Sequence, residues 1–194
     1  MKIVIAGGTG YIGRTLVETL GRAGHEVVVL SRTSSSGFAG ARVVAWDPSA
    51  GGGGAAWTGE LRGAGAAINL AGASIGGGRW TAARKRLLEE SRLQGTGALV
   101  SAVRALEPAS RPRVLLNASG IDYYGDRGDE VVTEESGPGD TYLAQLCVRW
   151  ETTAREAEAL GVRVVLMRTA VVFGTGADAL ARLALAFKLF AGGP

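Results

Sequence analysis

The chain opens with a short apolar run that breaks into three evenly spaced glycines. Residues 3–6 read Ile-Val-Ile-Ala, and Gly7, Gly10 and Gly13 follow, each separated from the next by two residues. The run predicts a buried strand, and the apolar periodicity of residues 11–23 predicts a helix directly after it. Gly7 permits the sharp turn, Gly10 lets the backbone approach a ligand because it has no Cβ, and Gly13 lets the helix lie close to the strand. Backbone N–H groups and the helix dipole then favour an anion, so the turn is predicted to hold a dinucleotide pyrophosphate.

The glycine spacing is G-x-x-G-x-x-G, which differs from the simplest dinucleotide fingerprint, G-x-G-x-x-G. The chain has 31 glycines, so three of them in register could arise by chance. A strand before the turn and a helix after it favour the ligand-binding interpretation. The alternative is a glycine-rich turn that holds nothing.

Strand-like and helical patterns alternate along the rest of the chain. Continuous apolar runs such as Val27–Val29 are typical of strands buried on both faces, as in a parallel sheet covered by helices. The alternation predicts an α/β fold, a Rossmann-like doubly wound parallel sheet with helices on both faces, in one domain spanning 1–194. Strands are predicted at 2–6, 26–30, 42–46, 66–70, 114–118 and 162–167; helices at 11–23, 81–106 (with a break at 95–97), 141–160 and 177–190; and loops at 33–40, 48–54 and 120–140.

Composition excludes several classes of protein. Of the 194 residues, 46% are hydrophobic and 20% charged, which is typical of a globular chain and not of a disordered one. No apolar stretch is long enough to span a bilayer, and no secretion signal is recognisable, so we expect a cytoplasmic protein. The net charge of +3 comes from scattered arginines, which gives nucleic-acid binding little support. Cys147 and His25 are the only residues of their types, so we expect neither an internal disulfide nor a metal site.

The end of the second predicted strand carries Ser31 and Arg32. Dinucleotide folds that bind NAD place an acid there, which accepts hydrogen bonds from the ribose hydroxyls. A carboxylate would repel a 2′-phosphate, whereas an arginine binds one. We therefore expect NADP (NADPH) rather than NAD, the alternative being a solvated arginine.

Two further segments could contact the same ligand. Leu70, Ala71 and Gly72 follow the fourth strand, where small residues leave room in the crevice of the sheet. Lys85 and Arg92 are seven residues apart and share a helix face. That face could meet the cofactor or could simply be a solvated surface.

Three hydroxyl groups are candidates for proton transfer. Ser119 follows the fifth strand, Tyr124 lies in the next loop, and Tyr142 begins a long amphipathic helix. A serine and a tyrosine can move a proton together when a nearby cation lowers the tyrosine pKa. The alternative is that Tyr142 is a core residue. Cys147 is interpreted as a small core residue, because no histidine can activate it.

Taken together, these segments resemble the short-chain dehydrogenase/reductase superfamily, in particular its extended, nucleotide-sugar-epimerase-like branch. The resemblance is closer still to an atypical subgroup of "epimerase family" proteins, sometimes labelled SulA-like. It is carried by Gly-Gly-Thr-Gly-Tyr-Ile-Gly at 7–13 and by Ser31-Arg32, Trp46-Asp47-Pro48, Asn69-Leu70-Ala71-Gly72, Arg79-Trp80, Lys85, Ser91-Arg92, Tyr123-Tyr124-Gly125-Asp126, Trp150-Glu151, Arg168-Thr169 and residues 187–194.

The resemblance implies an NADP-binding Rossmann-like domain with redox or epimerase-like chemistry on a small substrate. It places the cofactor contacts on Gly7, Thr9, Gly10, Tyr11, Ile12, Gly13, Ser31, Arg32, Leu70, Ala71, Gly72, Arg92 and Val171.

The chain departs from the superfamily in two ways. In the catalytically active branch the helix tyrosine is followed four residues later by a lysine, whereas here Tyr142 is followed by Leu146. The subgroup is also longer than this chain, so we expect a C-terminally truncated chain that lacks the substrate-binding part. Such a truncation would expose apolar surface.

Three functions stay open at this point: an NADP-dependent oxidoreductase or epimerase, a non-catalytic NADP-binding sensor or interaction module, and an α/β domain with an empty turn. The partner we expect is a small-molecule substrate, and neither nucleic acid nor a membrane. A homodimer formed through the 141–160 helix is left open.

Overall fold

A parallel sheet organises the part of the chain that the structure describes. The computed structural model describes residues 1–32, 38–50 and 56–190. Its strands are β1 (Lys2–Ala6), β2 (Glu26–Ser31), β3 (Arg42–Ala45), β4 (Ala66–Asn69), β5 (Val114–Gly120) and β6 (Arg163–Thr169), and its helices are α1 (Tyr11–Arg22), α2 (Ala82–Arg104), α3 (Tyr142–Arg155) and α4 (Asp178–Lys188).

The six strands lie in the order β3-β2-β1-β4-β5-β6, and every pairing is parallel. The chain winds outward from β1 in one direction and then from β4 in the other. The carboxyl ends of β1 and β4 therefore border a crevice at the point where the winding direction reverses. The Rossmann-like fold predicted from the alternating pattern is confirmed.

Successive side chains of a strand point to opposite faces, and both faces of this sheet are covered. On one face Ile3 and Ile5 of β1 pack with Val17 of α1. On the other face Val4 packs in a larger cluster with residues of α2 such as Leu99. The uninterrupted apolar run in β2 thus has a partner layer on each side, as the sequence predicted.

Several boundaries differ from the prediction. The break at 95–97 is wrong, because α2 is one continuous helix in which Gly95 lets the ring of Trp46 approach; a Cβ there would lie 3.4 Å from it. The predicted helix 141–160 ends at Arg155 and is followed by a short helical turn at Glu158–Leu160. The predicted loop 120–140 contains another such turn, Ile121–Tyr124. The predicted loop residues 33–37 and 51–54 lie outside the described part of the chain.

No helix among the described residues is long and apolar enough to cross a membrane.

Candidate functional site

The turn between β1 and α1 has a geometry that only glycine satisfies at two positions. Gly7 has φ +78°, a left-handed conformation that disfavours side chains, and a Cβ on it would lie 2.8 Å from the backbone of Leu70 and Ala71. A Cβ on Gly13 would lie 2.6 Å from the carbonyl oxygen of Gly7. The Gly10 N–H donates to that same carbonyl at 3.1 Å, which closes the turn.

Helix α1 starts without a side-chain cap. Thr81 and Thr141 accept hydrogen bonds from the first turns of α2 and α3, whereas the residue that precedes α1 is Gly10, with no side chain to do so. The N–H groups at the start of a helix need an acceptor, and the helix dipole favours a negative one. The turn can therefore receive an anion.

The structure places the predicted cofactor-contacting residues along the carboxyl edge of the parallel sheet. The Gly7 N–H donates to Leu30 of β2 at 3.3 Å, which sets the turn beside the buried Ser31 and the exposed Arg32. Leu70 and Ala71 touch Gly7 from the β4 side. Thr9 lies in the turn, whereas Tyr11 and Ile12 (41% and 43% exposed) begin α1, and Val171 (61% exposed) follows β6.

Arg92 is buried, which corrects the alternative of a solvated helix surface. Only 8% of it is exposed, and its guanidinium lies against Gly72, where a Cβ would be 3.4 Å from Cζ. One nitrogen donates to the carbonyls of Ala73 (3.2 Å) and Leu88 (3.0 Å). Burial lowers the Arg92 pKa because it disfavours the charged form. Lys85, on the same helix, is exposed.

Ser119 and Tyr124 belong to one buried polar cluster. The Ser119 hydroxyl donates to Glu151 Oε1 at 2.6 Å, and the Arg168 guanidinium holds both Glu151 oxygens at 2.8 Å. Arg168 also donates to the Tyr124 hydroxyl at 3.0 Å and covers the Tyr123 ring. The carboxylate holds the pKa of Arg168 above its usual range. Because the hydrogen of Ser119 is directed at Glu151, the Ser119 oxygen is left as an acceptor toward any other group.

Tyr142 lies apart from that cluster. Its hydroxyl donates to the Lys85 carbonyl at 2.7 Å, and the Lys85 ammonium lies 4.9 Å from its ring centre. Burial raises the pKa of the Tyr142 phenol, which is the opposite of the activation that proton transfer at neutral pH needs.

Tyr142 also lines a cleft of about 490 Å³ beyond the carboxyl end of β5. Its ring meets the exposed Trp80 edge to face, with centroids 5.9 Å apart. The other lining residues are Ile121, Asp122, Gly125, Asp126, Thr141 and Leu143. This cleft is large enough to hold a small molecule.

Cys147 faces Ser119 and the Gly120 carbonyl from α3. Burial raises the pKa of its thiol, so the thiolate is disfavoured. The described residues contain no group of three or more histidine, cysteine, aspartate or glutamate side chains that could hold a metal ion.

Sequence reasoning missed the roles of Glu151 and Arg168, which orient two of the predicted hydroxyls. A glutamate four residues after Cys147 on the apolar face of α3 was the available indication, because a buried carboxylate requires a partner. The partner, Arg168, lies on β6, so the sequence of α3 alone could not identify it.

Comparison with known proteins places this geometry in a family. Residues 3–188 match the model of the NAD dependent epimerase/dehydratase family. The chain is 36% identical over 202 residues to an Arabidopsis thaliana protein named "Epimerase family protein SDR39U1 homolog, chloroplastic", covering 100% of this chain and 55% of the relative. It is 37% identical over 192 residues to an epimerase family protein of Mycobacterium bovis, covering 96% and 59% of the two chains.

The crystal structure of human SDR39U1 (isoform 2) with NADPH superposes with a TM-score of 0.81 at 31% identity, covering 100% of this chain and 62% of the human one. The chain thus spans less than two thirds of the length of these relatives. With the parallel sheet, the glycine turn and these matches in agreement, the chain belongs to the NAD dependent epimerase/dehydratase family, as an SDR39U1-like epimerase family protein.

Proposed function

We propose that the chain binds NADP, with the pyrophosphate at the turn 7–13 and the adenosine 2′-phosphate at Ser31 and Arg32. The observation that carries this is the turn itself, where a Cβ on Gly13 would fill the space between turn and helix and the first turn of α1 has no side-chain cap. Arg32 supports NADP over NAD, since an exposed arginine stands where NAD-binding folds carry an acid. The NADPH bound to the human relative is consistent with the same choice.

The activity we propose is that of an oxidoreductase or an epimerase-like enzyme on a small substrate. A bound nicotinamide would supply hydride transfer. The cleft beside Tyr142 would hold the substrate, and the Ser119 oxygen would accept a hydrogen bond from a substrate hydroxyl, since Glu151 holds its hydrogen.

One observation favours a second function, a non-catalytic NADP-binding sensor or interaction module. Burial raises the pKa of the Tyr142 phenol even though the Lys85 ammonium lies 4.9 Å from its ring, and its hydrogen is donated to a backbone carbonyl, so the phenol is not poised to transfer a proton at neutral pH. Both functions include NADP binding, but only the enzyme transfers hydride between the nicotinamide and a substrate.

Titration with NADPH and NADH, followed by nicotinamide fluorescence, tests the cofactor assignment. We expect the protein to bind NADPH at least about tenfold more tightly than NADH, and Arg32→Ala to remove that preference by weakening NADPH alone. Arg22→Ala, at the opposite end of α1, is the matched control and should change neither affinity. Equal affinities in the wild-type protein would refute NADP selectivity, and no binding of either nucleotide would support the empty domain.

Hydride transfer separates the enzyme from the sensor. NADP⁺ reduction is followed with a panel of small alcohols, whose hydroxyl could donate to Ser119, and NADPH oxidation with the corresponding ketones and aldehydes, for the wild-type protein and Ser119→Ala. If the protein is an enzyme, its rate of hydride transfer exceeds the protein-free rate. If Ser119 contributes to that activity, Ser119→Ala loses most of the rate while still binding NADPH. Tight NADPH binding without turnover on any acceptor would favour the sensor.

A further inference from the structure

A buried threonine stands at the branch point of a polar network beneath the candidate cofactor site. Thr96, on α2, is fully buried, and its oxygen accepts hydrogen bonds from Asn69 Nδ2 and Trp150 Nε1, each at 2.8 Å. Its own hydrogen is directed at Asn117 Oδ1, 3.4 Å away. A hydroxyl has one donor and two acceptor sites, so all three are used.

Both arms of this network end on the segment that joins β4 to α2. In one arm the Asn69 amide donates its second hydrogen to Asn117 Oδ1 at 2.7 Å, and Asn69 Oδ1 accepts the Ala71 N–H at 3.2 Å. In the other arm the Trp150 ring lies 5.1 Å from the guanidinium of Arg92, which donates to the Ala73 carbonyl. Thr96 is therefore connected to both ends of the segment 71–73, through Asn69 at Ala71 and through Trp150 and Arg92 at Ala73.

The charge of Arg92 gives this arrangement a consequence for ligands. None of the ion pairs found among the described residues includes Arg92, although only 8% of it is exposed. Its hydrogen bonds go to two carbonyls, its guanidinium lies over the face of one ring, and Asp122 attracts it electrostatically without forming an ion pair. A buried cation that forms no ion pair within the described part of the chain is costly, and an anionic group beside Gly72 would offset that cost.

We propose that Thr96, acting through Trp150 and Asn69, is a positioning residue that holds Arg92 and the segment 71–73 in place to receive an anionic group of the cofactor. This inference rests on the NADP-binding function proposed above. Thr96 touches no ligand itself; its effect is transmitted by the two side chains that donate to it.

Three substitutions test the idea by NADPH titration, with thermal unfolding measured in parallel. Thr96→Val keeps the shape and leaves two buried donors unpaired, so we expect NADPH to bind about tenfold more weakly. Thr96→Ser keeps the hydroxyl and should restore wild-type affinity. Val103→Ala, a cavity in the same helix two turns further on, is the control: it should lower stability without changing affinity.

A double-mutant cycle separates positioning from general loosening. Arg92→Gln should weaken NADPH binding strongly in the wild-type background and much less in the Thr96→Val background, because the arginine is already misplaced there. Trp150→Phe, which keeps a ring over Arg92 and removes only the donor, provides the same cycle if Thr96→Val does not fold.

The proposal is overturned if Thr96→Val binds NADPH as Val103→Ala does, or if the Arg92→Gln effect is the same in both backgrounds. Failure of the wild-type protein to bind NADPH would overturn the proposed function as well, and is recognised from that first titration.

Discussion

At the scale of single residues, glycines decide the shape of the candidate site. The turn 7–13 packs so tightly that a methyl group on Gly13 would meet backbone atoms at 2.6 Å, and backbone cannot move aside as a flexible side chain can. Gly21 lies in the same helix, and a Cβ on it would meet no described atom within 4 Å apart from the backbone of that helix. Adding a methyl group is therefore expected to be unfavourable at Gly13 and tolerated at Gly21.

Gly13→Ala is expected to destabilise the protein by about 1–3 kcal/mol, because the turn must open to admit the methyl group. It should also abolish tight NADPH binding, since the opened turn no longer directs its N–H groups at one point. Gly21→Ala should instead stabilise by about 0.5–1 kcal/mol, since it only reduces backbone freedom in the unfolded chain. Urea denaturation and NADPH titration of both variants check this, and equal effects at the two sites would contradict it.

At the scale of elements, a buried ion pair joins β6 to α3. Arg168 and Glu151 form two hydrogen bonds at 2.8 Å, with side chains only 14% and 5% exposed. Through Ser119 and Tyr124 the same pair also reaches β5 and the turn that follows it. Each partner offsets the desolvation of the other, so the energetic consequence depends on whether one or both are removed.

Arg168→Met should destabilise by about 3–5 kcal/mol, because it leaves a carboxylate buried without a partner. The double variant Arg168→Met, Glu151→Leu should recover much of that loss, since no charge then stays buried. Chemical denaturation of Arg168→Met, of Glu151→Leu and of the double variant gives the coupling energy between the two side chains. Additive losses would show that the two side chains do not act as a pair.

At the scale of the whole molecule, apolar side chains are exposed on α4 and the segment before it. Leu183, Leu185 and Phe187 are 46%, 55% and 60% exposed, and Phe173 is 58% exposed. Exposed large apolar side chains in this number favour association or dye binding in water.

The chain is accordingly expected to associate with rising concentration and to bind a hydrophobic dye. Replacing Leu185 and Phe187 together by glutamate should reduce both, whereas the same change at the exposed arginines Arg104 and Arg155 should not. Light scattering across a concentration series provides the measurement. A monomer at every concentration, with no dye binding, would contradict the expectation.

Much of the fold follows from local pattern. Continuous apolar runs predicted the strands, since a strand buried on both faces carries few polar residues. The break in α2 was predicted wrongly from Gly95 and Gly97, because their low helix propensity is outweighed by packing against the sheet and Trp46. Tertiary contacts thus override propensity where a helix is held along its length.

The sequence by itself determined the turn, the order of elements and the residues along the carboxyl edge of the sheet, because these depend on neighbours in the chain. Only the tertiary structure decided the partners of the buried polar groups. Thr96 meets Trp150 from 54 residues away, and Ser119 meets Glu151 from 32 residues away. Such pairings follow from how α2 and α3 pack on one sheet face, and a polar group removed from water must pair with whatever that packing brings near.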